Sequence, residues 1–265
     1  MYDFNYAKAQ SVDDASARLA ATAESKLLAG GMTLLPTLKL RLAKPAALVD
    51  LGALQGLKGI EATGGVVTIK AMTRHADVMR SEVVAKAIPA LVTLAGGIGD
   101  TQVRHRGTIG GSVANNDPAA DYPAGCLGLG ATIVTNKREI TADDFFTALF
   151  TTALEPHEII TAVRFPVPER AAYVKFKNPA SRYAIVGVFA SKGPMGVRLA
   201  VTGAGDNGVF RVAAMEKALA ASFTAKAIEG ITVPADTMLG DIHASSEYRA
   251  HLVGVIARRA VAACA

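Results

Sequence analysis

The segment KLLAGGMTLLPTLKLRLAKPAALVD, residues 26–50, decides the architecture of the chain. Lys26 to Ala29 is a short apolar run of strand length, and Gly30-Gly31 interrupts it. Leu34 to Leu42 then carries a helical pattern with Pro36 in its first turn, where a missing N–H is tolerated. Ala46 to Asp50 is a second short strand. Strand, glycine turn, helix and strand define a small α/β lobe. Glycine pairs accept positive φ and can turn successive N–H groups toward one point. Such a cup at a helix start binds phosphate without a lysine. Ala29, Gly30, Gly31, Met32 and Thr33 are therefore a candidate phosphate cup, with Thr33 adding a hydroxyl. The competing reading is a plain strand–helix turn.

Upstream, Ser11 with Asp14 three residues later caps a helix through Ala21. Downstream, Ile60-Glu61 and Val66 to Lys70 read as strands of a hairpin turning at Gly64-Gly65. Helices are expected near Thr73 to Arg80 and Val83 to Leu94. Gly96 to Gly130 reads as one long irregular region, and loops of that length are usually functional. Strands follow at Ala131 to Thr135 and Ile159 to Phe165. Pro166, Pro168 and Glu169 mark a boundary. Beyond it, Tyr173 to Lys177, Ala184 to Ser191 and Val197 to Thr202 form an antiparallel meander. Helices are expected at Ala213 to Ala220, Ser222 to Gly230 and His243 to Cys264. The domains expected are residues 1–53, 54–168 and 169–265.

Within the irregular region, Thr108-Ile109-Gly110-Gly111-Ser112 is a second Gly-Gly bracketed by hydroxyl residues. Asn115, Asn116, Asp117 and Asp121 follow within ten residues. Polar groups this dense must face a ligand or one another, because each buried without a partner costs about 1–3 kcal/mol. Asp121 has the chemistry to accept hydrogen bonds from ribose hydroxyls. A polar loop packed on itself is the alternative. Two glycine cups about eighty residues apart suit a ligand with two phosphates. By contrast, Gly203-Ala204-Gly205-Asp206-Asn207-Gly208 matches GxGxxG but leads into another strand, Val209 to Val212, not a helix. It is read as a hairpin turn.

Composition limits the rest. The 265 residues are 51% apolar and 19% charged, and the mean hydropathy is +0.29, which excludes disorder. The longest mild apolar run, Ala87 to Gly99, is short of a membrane span. Net charge is +5, but Lys and Arg are scattered and there is no Trp, so nucleic acid is not expected. Cys126 and Cys264 form no CxxC, and the five histidines form no HxxxH or HExxH. A disulfide scaffold, a local iron–sulfur cluster and a protein-bound metal are not expected. MYDFNYAKAQ has no signal-peptide pattern, so a cytoplasmic location is expected.

AGGMTLLPTLKLRLAKPAALVDL, VRHRGTIGGSVANNDPAADYPA and SSEYRAHLVGVIARRAV resemble the FAD-binding medium subunit of the molybdenum hydroxylases, the xanthine dehydrogenase and carbon monoxide dehydrogenase family. The resemblance covers essentially the whole chain. It implies an α+β chain: an FAD-binding fold of the PCMH/vanillyl-alcohol-oxidase type, with two α/β lobes and a C-terminal antiparallel sheet with helices. In similar proteins the two glycine motifs hold the FAD pyrophosphate and ribityl chain, which here are Ala29 to Thr33 and Thr108 to Ser112. Asp121 matches an acid near the adenosine. Lys177, Arg182 and Tyr183 lie in FKNPASRYAIV, similar to the segment passing the flavin ring, and Tyr183 is a candidate for stacking beside it. Many relatives have His or Gln then Ser after the first glycine pair; Met32-Thr33 keeps only the hydroxyl.

The resemblance implies an oxidoreductase subunit without a catalytic residue of its own. Substrate is oxidised at a molybdopterin cofactor on a large partner, and electrons pass through [2Fe–2S] clusters on a small partner to FAD here. FAD then delivers them to NAD, a quinone or oxygen. A dimer of heterotrimers is expected. The rivals are a stand-alone flavin reductase on the same fold, such as a UDP-sugar enolpyruvyl reductase, and a nucleotide-binding scaffold.

Overall fold

Ser11 opens the first helix as its spacing with Asp14 requires: its hydroxyl accepts a hydrogen bond from the Asp14 amide at 2.9 Å. The computed structural model describes residues 1–264. The first lobe runs β1 (Asn5–Lys8), α1 (Val12–Ala21), β2 (Ser25–Leu28), α2 (Leu34–Lys39) and β3 (Ala47–Asp50). Its three strands are parallel in the order β1-β3-β2. Their connections are helical, as parallel pairing demands. The buried Ala15, Leu19 and Val49 pack with Met72 and Ile159, so this small core is closed by residues of the next lobe.

The middle lobe is built on β4 (Ile60–Thr63) and β5 (Val66–Lys70), joined through Gly64-Gly65 at φ +60° and +77°. Helices α3 (His75–Arg80), α4 (Glu82–Ala87), α5 (Pro89–Gly96), α6 (Thr101–Arg106), α7 (Ile109–Asn115) and α8 (Asp121–Leu129) follow. Then come β6 (Thr132–Thr135), β7 (Glu139–Thr141), α9 (Ala142–Phe145), β8 (Phe146–Ala148), β9 (Thr151–Thr152) and β10 (Ile160–Pro166). The main sheet is β4-β5-β10-β6-β7, antiparallel throughout.

Two expectations for this lobe change. The single helix over Val83 to Leu94 is two helices, because Pro89 lacks an N–H and drives Ile88 out of the helical region, to φ −142° and ψ 73°. The irregular stretch Gly96 to Gly130 is largely helical. Asp100 caps α6 by accepting from the Val103 amide at 2.8 Å, and Asn116 ends α7 in the left-handed region. The glycines of α8 are packing residues, not loop residues. Every residue of α8 is buried, and a Cβ on Gly128 would sit 2.6 Å from the Phe189 ring.

The third sheet is an antiparallel meander of β11 (Arg170–Lys177), β12 (Ala184–Gly193), β13 (Gly196–Thr202) and β14 (Phe210–Arg211). Helix α8 packs on one face, joining it to the middle lobe through Phe189 and Tyr173. Helices α10 (Ala213–Ala221) and α11 (Ser246–Ala263) cover the other face. The GxGxxG segment connects β13 to the antiparallel β14 as a turn. Ser222 to Gly230 yields only a 3-10 turn over Ala225–Ile228, which Thr224 starts with its hydroxyl. The last helix begins at Ser246, capped by Ser245, not at His243. Among the described residues no helix is long and apolar enough to cross a membrane.

Candidate functional site

All three lobes contribute to one cleft of about 590 Å³, within the usual range for cofactor sites. Its walls are the 29–34 loop, the 107–115 segment, the 117–121 turn, the strip 154–160 and the 180–183 turn. The first two walls touch. A Cβ on Gly30 would overlap the Arg106 carbonyl, so only glycine lets the loops close up. Gly31 follows at φ +73°, a region costly for other residues, and reverses the chain into α2.

Both glycine segments line this cleft, but they are not equivalent. Among the described residues, the amides of Gly30, Gly31, Met32 and Thr33 donate to no protein acceptor. Among the described residues the hydroxyls of Thr33 and Ser112 have no protein partner either, and both residues line the cleft. The second segment has spent the amides of residues 109–112, while the Thr108 amide donates to no acceptor among the described residues. Ile109 donates to the Thr73 carbonyl at 3.1 Å and Gly110 to the Ala71 carbonyl at 2.9 Å. The Gly111 amide meets the Thr108 hydroxyl at 3.3 Å, so Thr108 is a helix cap. Ile109 is fully buried core and does not line the cleft. The expected pair of matching cups becomes one open cup, residues 30–33, facing a closed helix start.

The acidic end also differs from expectation. Asp121 lines the cleft, yet its carboxylate is buried and accepts from the Tyr173 hydroxyl and from Lys175 Nζ at 2.9 Å. Burial raises its pKa, opposed by the Lys175 charge and these hydrogen bonds. The oxygens assigned to a ribose are thus taken up inside the protein. Lys177 is exposed and away from the cleft. Strand alternation would place Lys175 and Lys177 on one face, but a register shift between Phe176 and Lys177 breaks it. Lys175 is the buried lysine, and the adjacent bulge is what sequence spacing does not reveal. Tyr183 does line the cleft, 49% exposed, after Arg182 at φ +63°. Burial, then Asp117 and Asp121, raise its pKa. Asp117 is raised by burial as well, against one hydrogen bond from the Ala119 amide.

Asn116 points elsewhere: its amide donates to the Ala148 and Thr151 carbonyls, both at 2.8 Å, and fixes the β8–β9 hairpin. Two unanticipated residues shape the walls. Glu158 is buried; burial works to raise its pKa, but hydrogen bonds from Arg138, the Glu155 amide and Thr135 hold it at about 2. This anchors the 154–160 wall. His75 is 4% exposed and pushed down to about 4 by burial and by Arg104, so it is a neutral ring. A Cβ on Gly107 would lie 2.6 Å from its Nε2, so the ring supports the Gly107 backbone. Neither has a local motif that could have disclosed it. Cys126 and Cys264 are buried with raised pKa values, and among the described residues no three metal-ligating side chains cluster.

Free amides, free hydroxyls and an aromatic ring around an extended cleft are the recognition groups of a dinucleotide-binding protein; a diphosphate suits the amides and a flat ring suits Tyr183. A family model described as the FAD binding domain in molybdopterin dehydrogenase matches residues 2–168, and the chain belongs to this family. It is 35% identical to the nicotine 6-hydroxylase medium subunit of Paenarthrobacter nicotinovorans, over 97% of this chain and 95% of that one. It is 33% identical to the carbon monoxide dehydrogenase medium chain of Hydrogenophaga pseudoflava, over 97% and 96%. Its fold is similar to that in reconstituted CO dehydrogenase from Oligotropha carboxidovorans, with a TM-score of 0.91 at 33% identity, covering 99% of this chain and 98% of that chain.

Proposed function

We propose that this chain is the electron-transfer subunit of a molybdenum hydroxylase complex. In this reading it takes electrons from [2Fe–2S] clusters on a small subunit and passes them to an external acceptor. The observation that carries the reading is the open cup: four unspent amides, with the unspent hydroxyls of Thr33 and Ser112, line one cleft of cofactor size. The near full-length likeness to medium chains of carbon monoxide dehydrogenase and nicotine 6-hydroxylase supports it.

The amides of Gly30 to Thr33, with the hydroxyls of Thr33 and Ser112, would hold the FAD diphosphate by neutral donors. Gly111 keeps the gap beside Ala29 open. Tyr183 would flank the flavin ring, while Lys175 and Tyr173 keep Asp121 from acting as a free carboxylate. Bound FAD supplies storage for two electrons that can be exchanged singly, and the protein's part is to place and shield it. Substrate oxidation belongs to the molybdopterin cofactor of a large partner, with the assembly a dimer of heterotrimers. A cytoplasmic setting suits such a complex.

Two measurements test this. The purified chain should be yellow and release one FAD per chain on denaturation. Affinity capture from the native source should recover a molybdenum-containing subunit and a [2Fe–2S] subunit. A colourless chain that ignores added FAD, or capture of FAD-loaded chain with neither partner, overturns the proposal.

A further inference from the structure

Past its last turn, α2 leads into two leucines that face water. Leu40 and Leu42 are 70% and 74% exposed. The turn that presents them is fixed. Arg41, between them, is held at φ +59°, a region costly for a side chain. The Arg41 amide donates to the Leu38 carbonyl at 3.1 Å and the Leu42 amide to the Thr37 carbonyl at 3.0 Å, which closes the helix end over this residue. A glycine there would relax the backbone, yet the chain keeps a guanidinium. Arg41 and Lys44 each lie 5.5 Å from the centre of the Tyr2 ring, so the first residues of the chain join the same face. The Asn5 amide ties them down by donating to the Ala46 carbonyl at 2.9 Å.

The charge of this face is one-sided. Residues 1–6 and 39–46 carry the exposed cations Lys39, Arg41 and Lys44 against one acid, Asp3. Among the described residues none of the three cations is in an ion pair. An apolar centre with an aromatic ring and a pre-set arginine has the make-up of a protein–protein anchor. The six residues of α2 are too few to lie in a lipid surface as an amphipathic helix. The face is also coupled to the cofactor cleft, because Leu34 and Thr37 of α2 line that cleft. At 1.5 Å per residue α2 is roughly 9 Å long, so a protein seated on its far end stands one short helix from the open cup.

We infer that Tyr2, Leu40, Arg41 and Leu42 form the docking surface for the [2Fe–2S] subunit, whose matching face is apolar at its centre and acidic at its rim. The inference rests on the electron-transfer reading above and adds to it the place where the electron donor sits. Electrons have to enter beside the cleft, which assigns this face to the subunit that carries the clusters. Leu40 and Leu42 supply the apolar contact, and the unpaired cations select an acidic partner and set its orientation.

The test expresses the full chain, affinity-tagged, in the native source and measures how much [2Fe–2S] subunit is captured per chain. Leu40→Ser/Leu42→Ser removes the apolar centre, and Arg41→Glu reverses the rim. All three positions are exposed, so the Tm of each variant purified alone should match wild type. Capture of the [2Fe–2S] subunit is expected to fall at least about tenfold in both variants, whether or not the molybdenum subunit is lost with it. Unchanged capture in both variants, or loss of the molybdenum subunit alone, overturns the inference. Two further outcomes do so by naming another occupant while capture is unchanged. One is loss of self-association in sedimentation velocity, which gives the face to a second copy. The other is wild-type co-sedimentation with phosphatidylserine vesicles that both variants abolish, which gives it to a membrane. Each of these leaves the electron-transfer reading intact, whereas a wild-type chain that captures no [2Fe–2S] subunit overturns that reading and this inference with it.

Discussion

Adjacent glycines in one motif should fail in different ways when changed to alanine. A Cβ on Gly110 would lie 2.6 Å from Ala71 Cβ and 2.8 Å from the Ala71 carbonyl oxygen, to which the Gly110 amide already donates. These atoms belong to the segment entering α3 and cannot swing away. Overpacking of this kind costs about 1–3 kcal/mol. Because the clash is with backbone and a Cβ, the upper end applies; alanine regains up to about 1 kcal/mol in a helix, leaving a net loss of roughly 2 kcal/mol. At about 2–4 °C per kcal/mol for chains of roughly this size, Gly110→Ala should lower Tm by roughly 4–8 °C. Gly111 is different. Its Cβ would meet only the Thr108 hydroxyl at 3.0 Å and Ala29 Cβ at 3.7 Å. Gly111→Ala should therefore melt within about 2 °C of wild type. It fills the gap between α7 and the open cup, so its FAD Kd should rise at least tenfold, about 1.4 kcal/mol. The assays are thermal unfolding of the FAD-free chain and quenching of flavin fluorescence on titration. If Gly110→Ala melts normally and loses only FAD, the second glycine segment is a cofactor contact after all. The asymmetry between the two segments then fails.

Other tests follow from the same geometry. Lys175→Met should cost about 3–5 kcal/mol by stranding the Asp121 carboxylate, with much of the loss restored in Lys175→Met/Asp121→Asn, whereas Lys177→Ala should leave both Tm and FAD affinity alone. His75 titrates near 4 when folded against about 6.5 when unfolded, so its contribution is complete above the unfolded value and lost as pH falls toward 4. Urea denaturation of the FAD-free chain should therefore show about 3 kcal/mol less stability at pH 4 than at pH 7 from this residue, a loss that His75→Phe removes. Arg138→Met should leave Glu158 buried without its guanidinium and loosen the 154–160 wall, which faster FAD dissociation in stopped flow would report.

The local syntax of the chain was readable wherever one residue decides the outcome. Ser11 and the Gly64-Gly65 turn each act over three or four residues, and the strand–glycine–helix–strand order of residues 26–50 needs no distant partner; the Pro89 break is just as local, yet the apolar run Val83 to Leu94 reads through it as one helix. What could not be read were glycines whose role is set at long range. Gly125 and Gly128 look like loop residues in the chain and are instead the smooth face on which Leu94 and Phe189 rest. The stretch Gly96 to Gly130 reads as irregular for that reason, although Asp100 and Thr108 are ordinary helix caps.

The same distinction governs the site. A glycine pair announces an unusual backbone, but whether its amides are free depends on which carbonyls the fold brings near. Ala71 and Thr73 lie more than thirty residues before α7 and close its start, while among the described residues no acceptor takes the amides of residues 30–33. Composition cannot separate the two cases, because both segments read hydroxyl–glycine–glycine or glycine–glycine–hydroxyl. Nor can it separate Lys175 from Lys177, two residues apart on one strand, when a register shift turns one toward Asp121 and the other to solvent. A neutral diphosphate cup is therefore a property of the long-range pairing, and the pairing around Ala71 decides which of the two motifs binds. Replacing Ala71 with glycine would remove the side chain pressed against α7 but leave its carbonyl on the Gly110 amide. The second segment should then stay closed, and FAD affinity should stay within about twofold of wild type, or about 0.4 kcal/mol.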